Sequence, residues 1–295
     1  MYHRLRRRRR PSVAREVVRS LVSAESLEDR RMLAAVFWDG EAGTSSWHDA
    51  DNWSTNTVPG SEDDVTIDIS SGTAVTHSTG ETRVRSLTAV SPVTITGGTL
   101  DVATDLNFDQ QLSLNAGGRL ANARVIALSE RAELSINTGT IDGVTLQTPA
   151  SVSGVLNVEN DLTLSSTLTV NGSSSLIFKP TASGQQALRG SGTLVVNEQG
   201  GGTRSFVRVE GTTTLTIEPE ITVQAGSASF FGSSGVQTLI NQGTILAGRS
   251  NAAAGSELVL FDFEQFTNAT TGTLIATGSG ILELRSGWRN EGVIR

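Results

Sequence analysis

Hydrophobic and small polar residues alternate along most of this chain, from Val65 to its last residues. Short alternating runs occur, for example, at residues 93–95, 112–114, 134–136, 162–164, 168–170 and 215–217. A period of two places every second side chain on the same face of a strand. The pattern therefore predicts many short, half-buried β-strands.

Two short sequence units repeat along the same region. A Gly-x-Leu/Ile unit begins at Gly98, Gly118, Gly139, Gly154, Gly192, Gly243, Gly272 and Gly292, and several of the gaps between copies are similar in length or about double that length. A second unit, an apolar residue followed by x-Asn-x-Gly-x-Ile, begins at Leu239 and Trp288, with a degenerate copy at Phe266. Self-similarity of this kind is typical of solenoids, in which each coil buries its apolar side against its neighbours.

The sequence thus predicts an all-β protein whose residues 65–295 form a parallel β-solenoid, a right-handed β-helix with coils of about 20 residues. That region would supply about eleven coils, stacked over a length on the order of 50 Å. Tandem β-sandwiches are the alternative, because they also contain short alternating strands. The repeated glycine units favour the solenoid, as does the small number of hairpin-type turns in this region, at Asp142-Gly143 and Asn171-Gly172.

Charge divides the chain into unlike parts. Residues 1–35 carry ten Arg against four acidic residues, whereas the whole chain has a net charge of −7. We interpret residues 1–35 as a basic export or targeting segment, helical in part or disordered, and residues 36–64 as a cap on the solenoid. A nucleic-acid-binding role for the Arg block is the less favoured alternative, because no aromatic residues interleave with it and the acidic remainder would repel a polyanion.

The residues from Leu27 to Ala35, Leu-Glu-Asp-Arg-Arg-Met-Leu-Ala-Ala, resemble the Leu-Glu-Pro-Arg-x-Leu-Leu element near the N-terminus of bacterial surface proteins from planctomycetes. Asp29 stands where that family has Pro, and Met32 replaces one Leu. The resemblance implies a signal-bearing protein that is secreted or displayed at the cell surface. The chain has no apolar run of 18 residues or more, so we expect no transmembrane span.

Three of the four tryptophans, Trp38, Trp47 and Trp53, fall within sixteen positions beside turn-forming Gly, Asn and Pro residues. Such a cluster predicts a compact plug over one end of the repeat array. The segment resembles the entry of autotransporter-like and planctomycete β-repeat proteins, in which a Trp-x-Gly start leads to an Asn-Trp pair and a Pro-Gly turn. That resemblance implies an adhesin-like β-solenoid without a shared chemistry.

The same segment contains the candidate metal ligands, Asp49, Asp51, Asp63 and Asp64, with Asn52 beside them. Their oxygens suit Ca²⁺, but the Gly and the Glu of a calcium loop are missing, so turn capping is the favoured interpretation. A two-histidine metal or acid–base site at His48 and His77 is a further alternative, less favoured than turn or surface positions. We predict no other cofactor.

The sequence contains no nucleophile elbow, no His-Glu-x-x-His and no phosphate-binding loop, and it has no Cys. We therefore predict no catalytic residues and a non-catalytic, structural or adhesin-like protein, with cell-surface or matrix components, glycans or proteins, as partners. The alternative is a β-helix lyase or glycoside hydrolase. Its candidate carboxylates are Asp101, Asp105, Asp109, Glu130, Glu133, Asp262 and Glu264.

Because residues 292–295 stop within a repeat, we also expect a longer native protein.

Overall fold

The computed structural model describes residues 35–69, 72–197, 205–225, 228–232, 236–248, 257–278 and 280–295. The predicted export segment, its short helix and all but the last residue of the Leu27-to-Ala35 element lie outside the described residues. Residues 33–295 form one compact unit, which is described below.

The regular secondary structure of the described residues is β-strand, apart from one short 3₁₀ helix at Ala50–Asn52. The strands of the first part are β1 Ala35–Phe37, β2 Asp64–Ile67, β3 Val75–His77, β4 Glu81–Val84, β5 Ser86–Ala89, β6 Val93–Ile95, β7 Thr99–Val102, β8 Asp105–Phe108, β9 Gln111–Leu114, β10 Gly118–Ala121, β11 Arg124–Ala127, β12 Glu133–Leu146 and β13 Ala150–Leu164. Those of the second part are β14 Thr167–Val170, β15 Ser175–Phe178, β16 Gln185–Gly190, β17 Thr193–Val196, β18 Ser205–Val209, β19 Thr214–Ile217, β20 Thr222–Ala225, β21 Ala228–Gly232, β22 Thr238–Asn241, β23 Thr244–Ala247, β24 Glu257–Asn268, β25 Thr273–Ala276, β26 Gly280–Asn290 and β27 Val293–Ile294.

Every pairing between these strands is parallel, and the pairings sort the strands into three faces. Face A runs through β1, β2, β5, β8 and β11, the last parts of β12 and β13, β16, β19 and β22, and the last parts of β24 and β26. Face B runs through β3, β6 and β9, the first parts of β12 and β13, then β14, β17, β20, β23, β25 and β27. Face C contains β4, β7 and β10, the middle of β12 and β13, β15, β18 and β21, and the first parts of β24 and β26.

The chain visits the three faces in turn, so each circuit is one coil of a parallel β-solenoid. This arrangement confirms the fold class predicted from the repeats. The β-sandwich alternative is wrong, because a sandwich is built from antiparallel strands joined by short turns, whereas here each strand pairs with the equivalent strand one coil away.

One inward row on face B shows how the coils stack. Eleven residues, one from each coil, follow one another in register: Val75, Val93, Leu112, Leu134, Ala150, Leu168, Leu194, Val223, Ile245, Leu274 and Ile294. All but the last are buried. Burying a Val, Leu or Ile side chain contributes about 1.5–3 kcal/mol, so these rows supply much of the stability.

The coils differ in length, although their strands stay in register. The shortest coil runs from Leu134 to Ala150, and the two longest, equal in length, run from Leu194 to Val223 and from Ile245 to Leu274. In the coil from Leu168 to Leu194, extra residues lie between β15 and β16, at positions 179–184. This variation explains why the sequence repeat is visible only in fragments.

A cluster of phenylalanines lies in the core of the later coils. Phe230 stacks on Phe261, with ring centroids 4.8 Å apart, and Phe261 stacks on Phe266 at 5.4 Å. All three side chains are buried. These rings therefore form a stacked part of the core.

The repeated glycines lie where one coil passes closest to the next. A Cβ atom at Gly154 would lie 2.0 Å from the carbonyl oxygen of Asn137, and one at Gly292 would lie 2.2 Å from that of Gly272. Real Cβ atoms do not approach backbone so closely, so these corners exclude any larger residue. The Gly-x-Leu/Ile unit therefore marks a corner glycine followed by an inward aliphatic residue.

The tryptophan-rich segment packs against the first coil. Strand β1 pairs with β2 on face A, and Ser46 forms a parallel bridge with Thr76 on face B. Trp47 and Trp53 are completely buried, and Trp53 contacts both Trp47 and Trp38 edge to face with ring centroids 4.9 Å apart. The indole N–H of Trp53 donates to the Trp47 carbonyl at 2.8 Å. This segment therefore closes the N-terminal end of the solenoid with aromatic volume.

Candidate functional site

The outward positions of face B carry rows of hydroxyl groups. Six residues in successive coils share the central outward position: Thr76, Thr94, Ser113, Ser135, Ser151 and Thr169. The Ser113 and Ser135 hydroxyl oxygens lie 3.3 Å apart, close enough for a hydrogen bond between coils. We call this set the serine–threonine row.

A second row lies beside it, displaced by two residues along each strand. It contains Thr167, Thr193, Thr222, Thr244 and Thr273, again one from each coil. All five side chains are half-buried on the outside of the sheet. We call this set the threonine row.

The two rows overlap only in the coil that contains Thr167 and Thr169. Before that coil, Gln111 and Glu133 lie next to each other at the position of the threonine row. After it, Val195 occupies the position of the serine–threonine row. The hydroxyl groups therefore shift from one track to the other halfway along face B.

The chemistry of face B follows from these rows. A hydroxyl group donates one hydrogen bond and accepts two, and neighbouring groups repeat at the strand spacing of about 4.8 Å. A parallel sheet held at every coil keeps that spacing nearly constant. Face B thus presents a regular surface for hydrogen bonding, with Glu133 as a charged residue beside the rows, suited to a partner that is itself extended and polar.

Face C carries a row of charged side chains over the early coils. Arg83, Asp101, Ala121, Asp142 and Glu159 share one outward register position. Asp101 is nearly buried, and the exposed Arg83 lies 3.6 Å from it.

Arg119, from the adjacent outward position, bridges two of these carboxylates. Its guanidinium group donates to Asp142 at 2.6 Å and also to Glu159. Burial lowers the pKa of Arg119, but the hydrogen bonds and charges of Glu159 and Asp142 outweigh it, and the net pKa is raised. The arginine is therefore firmly held as a cation, and it ties three coils together.

The candidate calcium ligands do not form one group. Asp49 accepts a hydrogen bond from the Thr44 hydroxyl at 3.0 Å, and Asp63 accepts one from the Gly60 backbone N–H at 2.7 Å. Asp64 contacts Arg85 and Ser86. Within the described ranges, no three His, Asp or Glu side chains lie close enough together to hold a metal ion, and Asp51 lies apart in the 3₁₀ helix.

The two histidines, by contrast, are neighbours. The His48 and His77 rings pack at 61° with centroids 4.7 Å apart, and Trp47 lies 5.9 Å from His77 on another side. His77 is completely buried, and its ring nitrogens bond the Gly97 carbonyl at 3.0 Å and the Thr82 hydroxyl at 3.1 Å. Burial is the largest influence on the pKa of His77 and lowers it, the Gly97 bond opposes that change, and the nearby His48 adds to it.

The expectation that both histidines occupy turn or surface positions is therefore wrong for His77. Its ring faces the interior because it follows Val75 at a spacing of two on β3, where alternate residues point inward.

The carboxylates named for an enzyme are spread over different faces and corners. Asp105, on face A, forms a two-point pair with Arg124 at 2.6 and 2.8 Å, and Asp109 lies 3.3 Å from Arg131. The hydrogen bond from Arg124 lowers the pKa of Asp105. Glu133 begins β12 on face B, whereas Glu130 lies in the turn before it. Asp262 and Glu264 are exposed on β24.

Two open clefts lie near these features. One of about 490 Å³ lies beside the tryptophan cap, between Trp38, Ser45 and Val75. The other, of about 330 Å³, lies on face A beside Asp161 and Arg189. Arg189 donates to Asp161 at 2.8 Å and to Glu218 at 2.9 Å, so the charges in the second cleft are already paired.

Sequence reasoning missed both hydroxyl rows and the charged row. The threonine row left a signal, a Thr followed by an aliphatic residue at 167, 193, 222, 244 and 273, but the steps between copies are unequal. No such signal in the sequence marks Arg119, Asp142 and Glu159, because the alignment of their coils depends on the lengths of the corners. Register, which the structure supplies, is what brings these residues together.

In the part of the chain that the structure describes, no helix has the length and apolar character needed to cross a membrane. Comparison with known proteins adds nothing to the site, because no family model, no curated protein and no solved structure matches this chain.

Proposed function

We propose that this chain is a non-catalytic β-solenoid of the cell surface or extracellular space, which acts as a structural and adhesive module through face B. The observation that carries this proposal is the pair of hydroxyl rows, held in register over successive coils. The export-like element from Leu27 to Ala35 supports placement outside the cell.

The partner that best fits face B is an extended polymer rich in hydroxyl groups, such as a polysaccharide of the cell envelope or matrix. One hydroxyl hydrogen bond contributes only about 0.5–1.5 kcal/mol in water, because it replaces a bond to water. A single rung of the row is therefore a weak site. Many equally spaced hydroxyl groups that bind one polymer chain together give a much higher affinity than a single group does.

The test is binding of the purified chain to insoluble polysaccharides, with cellulose, chitin and peptidoglycan as the probes. The triple variant Thr94→Val, Ser135→Ala and Thr169→Val removes three hydroxyl groups from the serine–threonine row and keeps the shape of the strands. If these groups contact the polymer, affinity falls by about ten- to a thousandfold, as expected for three lost hydrogen bonds.

The matched control is Thr145→Val with Thr163→Val, which removes two half-buried hydroxyl groups from adjacent coils of face A. This control is expected to bind as the unaltered chain does. Equal loss in both variants, or no binding by the unaltered chain to any of the three polymers, would contradict the role of face B.

The charged row of face C is the one observation that favours the second candidate, a β-helix enzyme acting on polysaccharide. Asp142 and Glu159 lie in adjacent coils on one face, as such a site requires. The same polymers, after incubation with the chain, can be assayed for new reducing ends. Activity that Glu159→Gln abolishes would favour the enzyme over the adhesive module.

A further inference from the structure

The cleft beside the tryptophan cap lies where the cap meets the first strand of face B. Its volume is about 490 Å³, and its walls include Trp38, Asp39, Ser45, Ile69 and Ala74. Pockets that hold small ligands usually measure about 300–1,000 Å³. The cleft is therefore large enough for part of a short oligosaccharide, and the groups in its walls determine which kind it fits.

The indole N–H of Trp38 is an unused donor in this cleft. Its nitrogen lies beside Gly40, another residue of the wall, because a Cβ atom added to Gly40 would lie 3.2 Å from it. Among the described residues no acceptor bonds this N–H, whereas the indole N–H of Trp53 donates to the Trp47 carbonyl. Trp38 is 7% exposed, so part of its ring also gives the cleft an apolar surface.

Asp39 and Ser45 add an acceptor and a hydroxyl group. One carboxylate oxygen of Asp39 accepts a hydrogen bond from the Glu41 backbone N–H at 3.3 Å, and the other has no partner within the described ranges. The Ser45 hydroxyl has no partner there either, although the Ser45 carbonyl oxygen accepts the Thr76 N–H at 2.8 Å. Asp39 is exposed and Ser45 is half-buried, so both groups are accessible to a ligand.

A short piece of strand edge completes the wall. On β3, the backbone of Thr76 pairs with the cap, through bonds to the Ser45 carbonyl at 2.8 Å and the Trp47 N–H at 2.9 Å. Ala74 lies two residues earlier, and alternate residues of a strand direct their backbone groups to the same side. The N–H and C=O of Ala74 therefore also face the cap, but nothing in the described part of the chain pairs with them. A ligand or solvent must supply their partners.

The cleft thus combines unused donors, unused acceptors and the apolar surfaces of Trp38 and Ile69. A plain sugar has hydroxyl groups for such a mixed set but no methyl group for the apolar surface. An N-acetylated amino sugar adds an acetamido group, which has one N–H, one carbonyl oxygen and one methyl group. The methyl group fits the apolar wall, the N–H fits an acceptor such as Asp39, and the carbonyl oxygen fits a donor such as the Trp38 indole.

The position of the cleft links it to face B. Ser46 of the cap forms a parallel bridge with Thr76, the first residue of the serine–threonine row. The row therefore runs up to the cap, and Val75, next to Thr76, lines the cleft. A polymer chain that lies along the row reaches the cleft at the N-terminal end of face B.

We infer that this cleft is a binding site for an N-acetylated amino sugar, the unit present in chitin and peptidoglycan and absent from cellulose. The acetamido group lies beside Trp38 and Ile69, and sugar hydroxyl groups pair with Ser45 and with the backbone of Ala74. This inference rests on the proposed function for the class of ligand, and it adds which polymers the chain prefers and where one sugar unit is held.

The first test is calorimetric titration of the full chain with chitotetraose and with cellotetraose, which differ in the acetamido group. Chitotetraose is expected to bind about tenfold more tightly or better, the combined effect of one net hydrogen bond and one buried methyl group. NMR of the tryptophan indole N–H groups locates the site, with the Trp38 signal assigned through Trp38→Phe. That signal should shift on binding, and the signal of Trp288 should not.

The second test is a variant of the cleft, Asp39→Ala with Ser45→Ala. Its matched control is Asp51→Ala with Ser61→Ala, which changes two exposed residues of the cap outside the cleft. The cleft variant should bind chitotetraose at least about thirtyfold more weakly, as expected for the loss of one neutral hydrogen bond and one to a charged group. The control, and the triple variant of the serine–threonine row, should bind chitotetraose as the unaltered chain does.

The inference is wrong if chitotetraose does not bind, if cellotetraose binds equally well, or if the cleft and control variants lose affinity alike. None of these results decides whether polymers bind along face B, which the triple variant tests separately with the insoluble polymers. Binding of chitotetraose in the cleft, together with polymer binding that the triple variant leaves unchanged, would support the cleft site and contradict the role of face B.

Discussion

The tryptophan-rich cap and the last described coils of this solenoid are packed in different ways. A stack of coils leaves apolar side chains and unpaired strand edges at each end, and both promote unwanted association. At the N-terminal end, Trp38, Trp47 and Trp53 cover the first coil, and Ser54 occupies the edge of β1. At the C-terminal end, Trp288 and Ile294 are half exposed, although they continue buried rows.

The comparison teaches that a coil can be packed by irregular aromatic chain or by side chains in register with the next coil. The cap uses irregular chain and large aromatic rings, which fit one place and cannot be extended. The last described coils repeat the in-register packing of the coils before them. They add a ladder of side-chain hydrogen bonds from Asn241 to Asn268 and from Asn268 to Asn290. The first arrangement depends on the fit of individual aromatic rings, and the second depends on register between coils.

The largest expected effect comes from removing the centre of the cap. Trp53→Ala deletes the ring that contacts both Trp38 and Trp47 and leaves a cavity under the cap. A loss of about 3–5 kcal/mol of stability is expected for a fully buried Trp. Chemical denaturation followed by near-ultraviolet circular dichroism measures it, and hydrogen exchange should be fastest in residues 64–77.

Trp288→Ala is the matched change at the other end. Because its ring is half exposed, the loss should be well below that of Trp53→Ala, at about 1 kcal/mol or less. Equal losses of stability for the two substitutions would contradict the distinction between the buried ring of Trp53 and the half-exposed ring of Trp288.

A smaller effect is expected from breaking the ladder in its middle. Asn268→Leu leaves a buried amide hydrogen of Asn241 without an acceptor and removes the donor to Asn290. The cost should be about 1–3 kcal/mol, the penalty for an unsatisfied buried polar group. Asn290→Leu, at the exposed end, is the control and should cost less. Hydrogen exchange across β24 and β26 reports both, and a larger effect at Asn290 would argue against the ladder as a buried element.

The smallest predicted effect is a dependence of stability on pH, which we expect near His77 in the first coil rather than in β26. The pKa of His77 is lowered, first by burial and further by His48, so the folded cap favours the neutral ring. The unfolded chain binds more protons below the usual histidine pKa of about 6.5. The contribution of His77 to the free energy of unfolding is therefore fully present above that pH. It is lost as the pH drops from the unfolded pKa to the folded pKa, and no further loss follows below the folded pKa.

Denaturation midpoints measured from pH 8 to pH 5 test this expectation, with His77→Gln as the comparison. Gln keeps a polar side chain near Gly97 and Thr82 but does not titrate in this range. The acid-induced loss should be smaller in the variant, and the difference should appear in the cap rather than in β26. An identical pH profile for both proteins would exclude His77 as its cause.

Much of the fold was predictable because it depends on local pattern. Alternation indicated strands, and the corner glycines with the repeated Asn indicated stacked coils. His77 shows the limit, since its burial depends on its place in β3 beneath Trp47 and not on its residue type. The hydroxyl rows show this limit more clearly, because Thr193 and Thr222 become neighbours only when one of the two longest coils closes.

The sequence by itself determined the strands, the glycine corners, the aromatic cap and the asparagines of the ladder, because each depends on side-chain type and on spacing within one coil. Only the tertiary structure decided which side chains of different coils lie side by side. Register between coils is fixed by backbone hydrogen bonds and inward packing, while the corners absorb differences in length. For this reason the charged row of face C, the hydroxyl rows of face B and the contacts between Asn241, Asn268 and Asn290 became visible only in the folded stack.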